Sequence, residues 1–525
     1  MKERSRTEYS LINMLTGVAG YAINTIIGFV CRIVFVRVLS AEYLGVSGLF
    51  SNILSVLSLA ELGISSAIIY ALYKPIAEDD KEKIASIMQF YRKAYMAIGV
   101  FVAIVGLSLL PFLKYIVNDT TGIHENIYVL YLLYLLSTVS TYFFSYRASL
   151  LTAMQRQYIV SGYNYVITVL QSVLQMVFLL LTHEYITYLI IQVISGIVYN
   201  IWVSSKASHD YPYILKKDVN PLDKTERNSL LRNIKALAIN KVSGVLVNST
   251  DNLVINYFTG LGIVGLTSNY TLLSNTLGGI IGLVFNALPG SVGNLNATAD
   301  EDTKYRFFKT LNLLNFWLFG WGTIGIAFVS SDFVAFLFGS EYVLSAEIPL
   351  IIAINSYTIG MLQASYTYKN TLGLFRYGQY LLFLTGLINL GLDILLGNIW
   401  GTFGILLATL IARMCTNLWY EPYAVFKYGL NKNPMLYFLQ YCRYAIILLF
   451  TGAICWGLCS LCHFSLITNV VVKILICSVI PNAIFALVSR NREEFIYLME
   501  VVKRIINKYT VSYTHLRAHE TDQYL

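Results

Sequence analysis

RVLSAEYLGVSGLFSNILSVLSLAELGISSAIIYALYKPIAEDDKEKI, residues 37–84, decides the fold. Between Leu44 and Leu72 it carries one charge, Glu61, and then turns abruptly into the polar segment KPIAEDDKEK. A helix of about 20 apolar residues matches the hydrocarbon thickness of a bilayer. A charged segment directly after such a run marks the place where a membrane helix meets water. Outward from this stretch the pattern recurs along the chain. Further apolar spans fall at 10–36, 94–117, 126–146, 157–181, 185–204, 236–258, 261–288, 310–337, 346–367, 377–397, 401–426, 444–462 and 466–488, so the expectation is an all-α membrane protein of about fourteen transmembrane helices.

Composition agrees. Hydrophobic types make up 56% of the 525 residues and charged types 13%, with a mean hydropathy of +0.62. A water-facing surface needs roughly twice that share of charge, so lipid is the solvent that suits this chain. The net charge of +8 does not imply nucleic acid, because the basic residues lie in short loops and form no basic stripe. Nothing matches a nucleotide-binding GxxxxGK[ST] loop, and no cofactor is expected. The basic start MKERSR leads into an apolar run without a small-residue cleavage site, so it reads as a first membrane helix rather than a cleaved leader.

Lysine and arginine set the orientation. With a cytoplasmic N-terminus, only Arg37 and Lys114 of the 37 Lys and Arg fall at outer span ends, and Arg32, Lys241, Arg413 and Lys473 lie within spans; all the others fall inside. This is the positive-inside pattern of a multi-pass protein of the bacterial plasma membrane, with both termini cytoplasmic. One missed span would invert every later loop, so the bias also supports the span count.

The chain also echoes itself. YLGVSGLFSNIL (43–54) aligns with GIVGLTSNYTLL (262–273) when Gly45 meets Gly265, and AEDDKEK (77–83) aligns with ADEDTKY (299–305). Each half starts and ends on the same side, so the repeat is parallel, an arrangement in which transporters bind substrate between the halves. The expected division is a six-helix lobe at 1–204, a cytoplasmic linker at 205–235, a second six-helix lobe at 236–428, two further helices within 429–490, and a cytoplasmic tail at 491–525.

A charge at the bilayer centre costs about 2.5–3.5 kcal/mol on insertion scales. Residues held there at that cost are candidates for function. Arg32, Lys241, Asp251 and Arg413 would line a polar cavity between the halves, with the cations holding a phosphate-bearing head group through charge-assisted hydrogen bonds, and Glu61 joins them as a weaker candidate. The competing reading for each is a helix-locking salt bridge or a snorkelling side chain, and Asp393 and Lys473 lie near enough to span ends to snorkel. Cys455, Cys459 and Cys462 share a helix face, but small apolar filler explains them better than a metal site. The six histidines fall in loops and the tail, which argues against a histidine proton relay. The 40 tyrosines fit an interfacial belt.

Three stretches carry a family resemblance. Residues 37–84, TDNLVINYFTGLGIVGLTSNYTLL (250–273) and GTFGILLATLIARMCTNLWYEPYAVFKY (401–428) resemble bacterial polysaccharide repeat-unit flippases of the Wzx type, within the multidrug/oligosaccharidyl-lipid/polysaccharide exporter superfamily. The resemblance spans about residues 8–490 and rests on no single diagnostic motif. It implies two six-helix lobes in a V plus two extra C-terminal helices, working by alternating access. It also implies a polyprenyl-pyrophosphate-linked oligosaccharide as substrate, with polysaccharide polymerase and glycosyltransferases as partners. The family's cationic cavities suit Arg32, Lys241 and Arg413, and Asp251 matches the family's TD position. A drug or cation antiporter of the same superfamily is the alternative, although such proteins commonly have twelve spans and acidic cation sites. A membrane polymerase or glycosyltransferase fits less well, since the outer loops are short. The last segment, VSYTHLRAHETDQYL (511–525), reads as translated adapter sequence foreign to the fold.

Overall fold

A computed structural model describes the chain except residues 1–5, 62–63, 118–121, 217–218, 229, 232–233, 235–249, 287, 375–376, 379, 501–502 and 504–525. The tail segment 511–525 and Lys241 therefore lie outside the described residues. Among the described residues the secondary structure is helical, with no strand. Ten helical segments among the described residues are long and apolar enough to cross a membrane.

The expected spans map onto these segments with two informative differences, at 44–72 and 261–288, while the expected span 236–258 lies outside the described residues as far as position 249. The span at 44–72 is not one rod. Helix Ala41–Leu57 tightens into a 3₁₀ turn at Ser58–Glu61, and a second helix runs from Ile64 to Ala77. The spans at 377–397 and 401–426 are the two arms of the segment Leu381–Cys415 and its continuation, broken at Gly401, which has φ 55° and ψ −136°. That left-handed φ favours glycine, and it folds the segment into a hairpin. Its arms run back together, so that the hydroxyls of Thr385 and Thr416 sit 2.8 Å apart. Helix Leu261–Asn286 is well formed, yet it is not among the ten apolar segments. Thr267, Ser268, Asn269, Tyr270, Thr271, Ser274, Asn275 and Thr276 make a polar stretch that points to several sides of this helix. Polar groups buried on such a stretch need other polar groups to meet them.

By contact, the chain forms two compact units. The first comprises Met1–Leu272, Leu337–Leu344 and Gln379–Thr416. Here helix Arg6–Val38 packs along Gln157–Thr182, and helix Asp251–Thr259 packs along the Leu381–Cys415 hairpin. Gly45 and Gly265, the residues aligned by the internal repeat, meet in this unit. A Cβ on Gly45 would lie 2.1 Å from the Leu261 carbonyl oxygen, and one on Gly265 would lie 2.0 Å from that of Ala41. Two helices therefore cross here backbone to backbone, and no other residue type fits without displacement.

The second unit comprises Leu273–Phe336, Ser345–Gly378 and Asn417–Leu525. Its core joins helix Glu301–Phe338 to the last two membrane helices, Met435–Ser460 and Leu466–Ser489. Phe316 stacks on Tyr444 at 4.3 Å, and Phe485 packs against Phe316 at 4.7 Å. Lys473 does not snorkel as its position near a span end suggested. It forms an ion pair with Asp332 at 2.5 Å. The Sγ atoms of Cys459 and Cys477 lie 3.9 Å apart inside the apolar core. Among the described residues no group of three His, Cys, Asp or Glu is arranged to hold a metal ion.

Candidate functional site

The first unit contains two polar clusters at membrane depth, one cationic and one anionic. Arg32 anchors the first. Helix Arg6–Val38 carries Arg32 one residue after Cys31, and the guanidinium reaches the polar stretch of Leu261–Asn286. Its Nε donates to Asn269 Oδ1 at 3.1 Å and its Nη2 to the same oxygen at 3.0 Å. Nη2 also donates to the Ser268 hydroxyl. The planar fork of arginine makes this grip on a single amide possible.

Aromatic residues surround Arg32. Tyr134, Tyr185 and Tyr188 all lie within electrostatic reach of its guanidinium. Tyr134 and Tyr185 share a hydrogen bond of 2.7 Å, and Tyr185 stacks on Tyr188 at 5.8 Å. Phe35 packs edge-on to both at 5.6 and 5.2 Å. Glu125 fixes the cluster at one end. It accepts from the Tyr43 hydroxyl and, at 2.9 Å, from the backbone N–H of Tyr185. The cluster thus presents one guanidinium held by neutral groups, with no carboxylate among its hydrogen-bond partners above. A cation held in this way keeps its charge available to an anion.

The second cluster is built by helix Asp251–Thr259 against the Leu381–Cys415 hairpin. The Thr409 hydroxyl donates to Asp251 Oδ2 at 3.0 Å, and Asn389 Nδ2 donates to Asp393 Oδ1 at 2.7 Å. A longer contact of 3.5 Å joins Asn389 Nδ2 to the Thr409 hydroxyl. Asp393 and Asn389 are fully buried. Asp251 Oδ1, Asp393 Oδ2 and Asn389 Oδ1 are buried oxygens without a hydrogen-bond partner. Arg413, one turn beyond Thr409, lies within electrostatic reach of Asp251. Two buried carboxylates, each with one unpartnered oxygen, beside the unpartnered amide oxygen of Asn389 favour positive charge or a proton in their midst. The donor set is all oxygen and bears at most two charges. It fits a proton or a small hard cation rather than a soft transition metal.

The expected candidates therefore separate. Asp251 and Arg413 come together, Arg32 occupies a different cluster, and Lys241 lies outside the described residues. Glu61 belongs to neither. It ends the 3₁₀ turn and accepts a hydrogen bond from the Tyr95 hydroxyl, with Tyr142 also against it. Asp393, read as near enough to the surface to snorkel, is instead buried beside Asn389 and within electrostatic reach of Asp251. The sequence reading missed Asn389, Thr409, Ser268 and Asn269. For the first two a signal existed: Asn389 and Asp393 share a face at i,i+4, as do Thr409 and Arg413.

No protein-family model and no curated protein sequence matches the chain. Solved structures do match in fold. The lipid II flippase MurJ, in an inward closed conformation, aligns over 91% of this chain and 99% of its own, with a TM-score of 0.64 and 15% identity. A variant of the Vibrio cholerae MATE transporter VcmN aligns over 82% and 99%, with a TM-score of 0.55 and 14% identity. A multidrug resistance MATE transporter of the MOP superfamily, outward-facing, aligns over 81% and 96%, with a TM-score of 0.52 and 12% identity. At these identities the likeness is one of fold: this chain is an all-helical, multi-pass membrane protein with the architecture of MurJ and the MATE transporters.

Proposed function

We propose that this protein flips polyprenyl-pyrophosphate-linked oligosaccharide repeat units from the cytoplasmic to the outer leaflet of the bacterial plasma membrane, for export of a surface polysaccharide. It works by alternating access between the lobes 1–204 and 236–428, with both termini cytoplasmic. Polymerase and glycosyltransferases act before and after it. The observation that carries this reading is Arg32, a guanidinium within a membrane span held by Ser268 and Asn269 rather than by a carboxylate. A pyrophosphate is the complementary ligand. The sugar's hydroxyls would each lose hydrogen bonds worth several kcal/mol in hydrocarbon, and a polar path removes that barrier. Outward movement of the anionic head group runs with an inside-negative potential, at about 2.3 kcal/mol per charge per 100 mV.

In the same reading, Asp251 and Asp393 bind a proton or monovalent cation whose passage drives the return of the cavity, Arg413 tunes that ion site from beside Asp251, and Lys241 adds positive charge to the cavity. The test is flipping of lipid-linked repeat units in a deletion strain complemented with Arg32→Ala/Arg413→Ala. Accumulation of repeat units on the inner leaflet is expected. Normal flipping by that variant removes the cavity role from both residues.

One observation favours a second reading, a drug or cation antiporter of the same superfamily. The two buried carboxylates form the kind of site that binds a cationic solute directly. Ethidium efflux that depends on Asp251, in cells whose lipid-linked intermediates are unaffected, would select it.

A further inference from the structure

We infer that the second unit carries a binding site for the phosphate head group of an anionic phospholipid, at the end of the membrane helices where lysine and arginine concentrate. A cavity of about 390 Å³ opens between helix Glu301–Phe338, helix Met435–Ser460 and the segment following Leu466–Ser489. Three of its lining side chains are cationic, Lys309, Arg443 and Arg492, and one is anionic, Glu494. Lys309 is engaged with Glu494 at 3.4 Å and more loosely with Glu493 at 3.9 Å. Among the described residues no ion pair engages Arg443 or Arg492. The pocket therefore holds a surplus of positive charge in a place shaped by three elements.

The rest of the wall is fitted to a lipid rather than to a free anion. Gln440, Tyr444 and Ile447 follow the same face of Met435–Ser460 as Arg443, at helical spacing. Gln440 is fixed by its hydrogen bond to the Tyr444 hydroxyl at 2.8 Å, and Tyr444 is locked on Phe316. Arg443 is the ninth residue of its helix, so it lies about 12 Å from the helix start. Apolar side chains flank it on both sides along the helix. Leu439, Ile446 and Leu449 stand 63%, 67% and 73% exposed, as lipid-facing residues do. A ligand held here would set its phosphate on Arg443 and Arg492 and lay an acyl chain along that face. Basic pockets between membrane helices bind anionic head groups by this division of labour. The neighbouring pocket across the Lys309–Glu494 pair has the opposite balance, with Glu493, Glu494 and Glu500 against Arg306 and Lys309. The ion pair is thus a partition that leaves the cationic side free for phosphate. This inference does not depend on what the protein transports.

The test uses the purified full-length protein in detergent and follows Tm against added lipid. Phosphatidylglycerol should raise Tm in a saturable way, while phosphatidylcholine with the same acyl chains should not. Arg443→Gln/Arg492→Gln should need about tenfold more phosphatidylglycerol for half the effect, the loss expected when charge-assisted hydrogen bonds are removed. Arg443→Lys/Arg492→Lys, which keeps the charge, should stay within about threefold of wild type. Equal stabilisation by phosphatidylcholine would overturn the proposal. So would equal stabilisation by glycerol phosphate at the same concentration, which would make this a site for a free anion. A wild-type response from the glutamine variant, folded as judged by its lipid-free Tm, would overturn it as well.

Discussion

The two clusters of the first unit invert each other's chemistry. Around Arg32 a single cation is held by an amide, a hydroxyl and tyrosine rings. Around Asp251 and Asp393 two carboxylates are held by an amide and a hydroxyl, and three oxygens are left over. The scaffolds are alike and the signs opposite. The cationic cluster is complete as it stands and has charge to offer. The anionic cluster is incomplete and needs charge. Under the proposed function, the cationic cluster takes the large anionic substrate and the anionic cluster a small positive ion.

The largest effect tests the anionic side. Asp251→Ala/Asp393→Ala should abolish transport, more than a hundredfold, while Tm stays level or rises. Removing two buried carboxylates relieves a desolvation cost. A fall in Tm together with lost transport would mean that the pair is a structural lock instead. Arg32→Ala should come next, with transport down by at least tenfold. Arg32→Lys should recover only part of it, because an ammonium cannot span Asn269 Oδ1 and the Ser268 hydroxyl with the same fork. Full recovery by lysine would reduce the cationic cluster to a point charge.

Thr409→Val should be milder. It removes one neutral donor to Asp251, worth about 1 kcal/mol, so the cation or proton concentration for half-maximal transport should rise about fivefold with the maximal rate unchanged. A change in maximal rate alone would place Thr409 outside the ion's site. Glu61→Gln should do least. The Tyr95 hydroxyl can still donate to the amide oxygen, and less than a twofold change in transport is expected. A loss as large as that of Arg32→Ala would bring Glu61 into the cationic cluster's function.

Much of this was legible in the sequence. Hydropathy located the membrane segments, because spans of about 20 residues are set by bilayer thickness and little else. Arg32 and Asp251 stood out because a charge inside such a span has few cheap explanations. Their partners did not stand out. Asn269 lies 237 positions from Arg32, and a neutral polar residue in a helix carries no mark of what it faces. Asp393 was misjudged because closeness to a span end was taken as access to water, whereas helix packing buries it beside Asn389 and within electrostatic reach of Asp251. The interruption at Ser58–Glu61 was equally hidden. The average apolarity of 44–72 is unaffected by a short polar turn whose groups are satisfied from other helices.

The crossing at Gly45 and Gly265 has a mechanical consequence. Side chains that interdigitate must be withdrawn from their sockets before two helices can part, and each withdrawal exposes a hole. Here the contact is carbonyl against bare α-carbon on both helices, so nothing is keyed into anything. Such a junction can hold tightly while closed and still separate in one motion, without any rotamer having to change. A bulky residue at either position, such as Gly265→Leu, would act as a doorstop and hold the helices apart. A molecule trapped in that way would label readily at a cysteine placed beside the crossing, whether or not substrate was present.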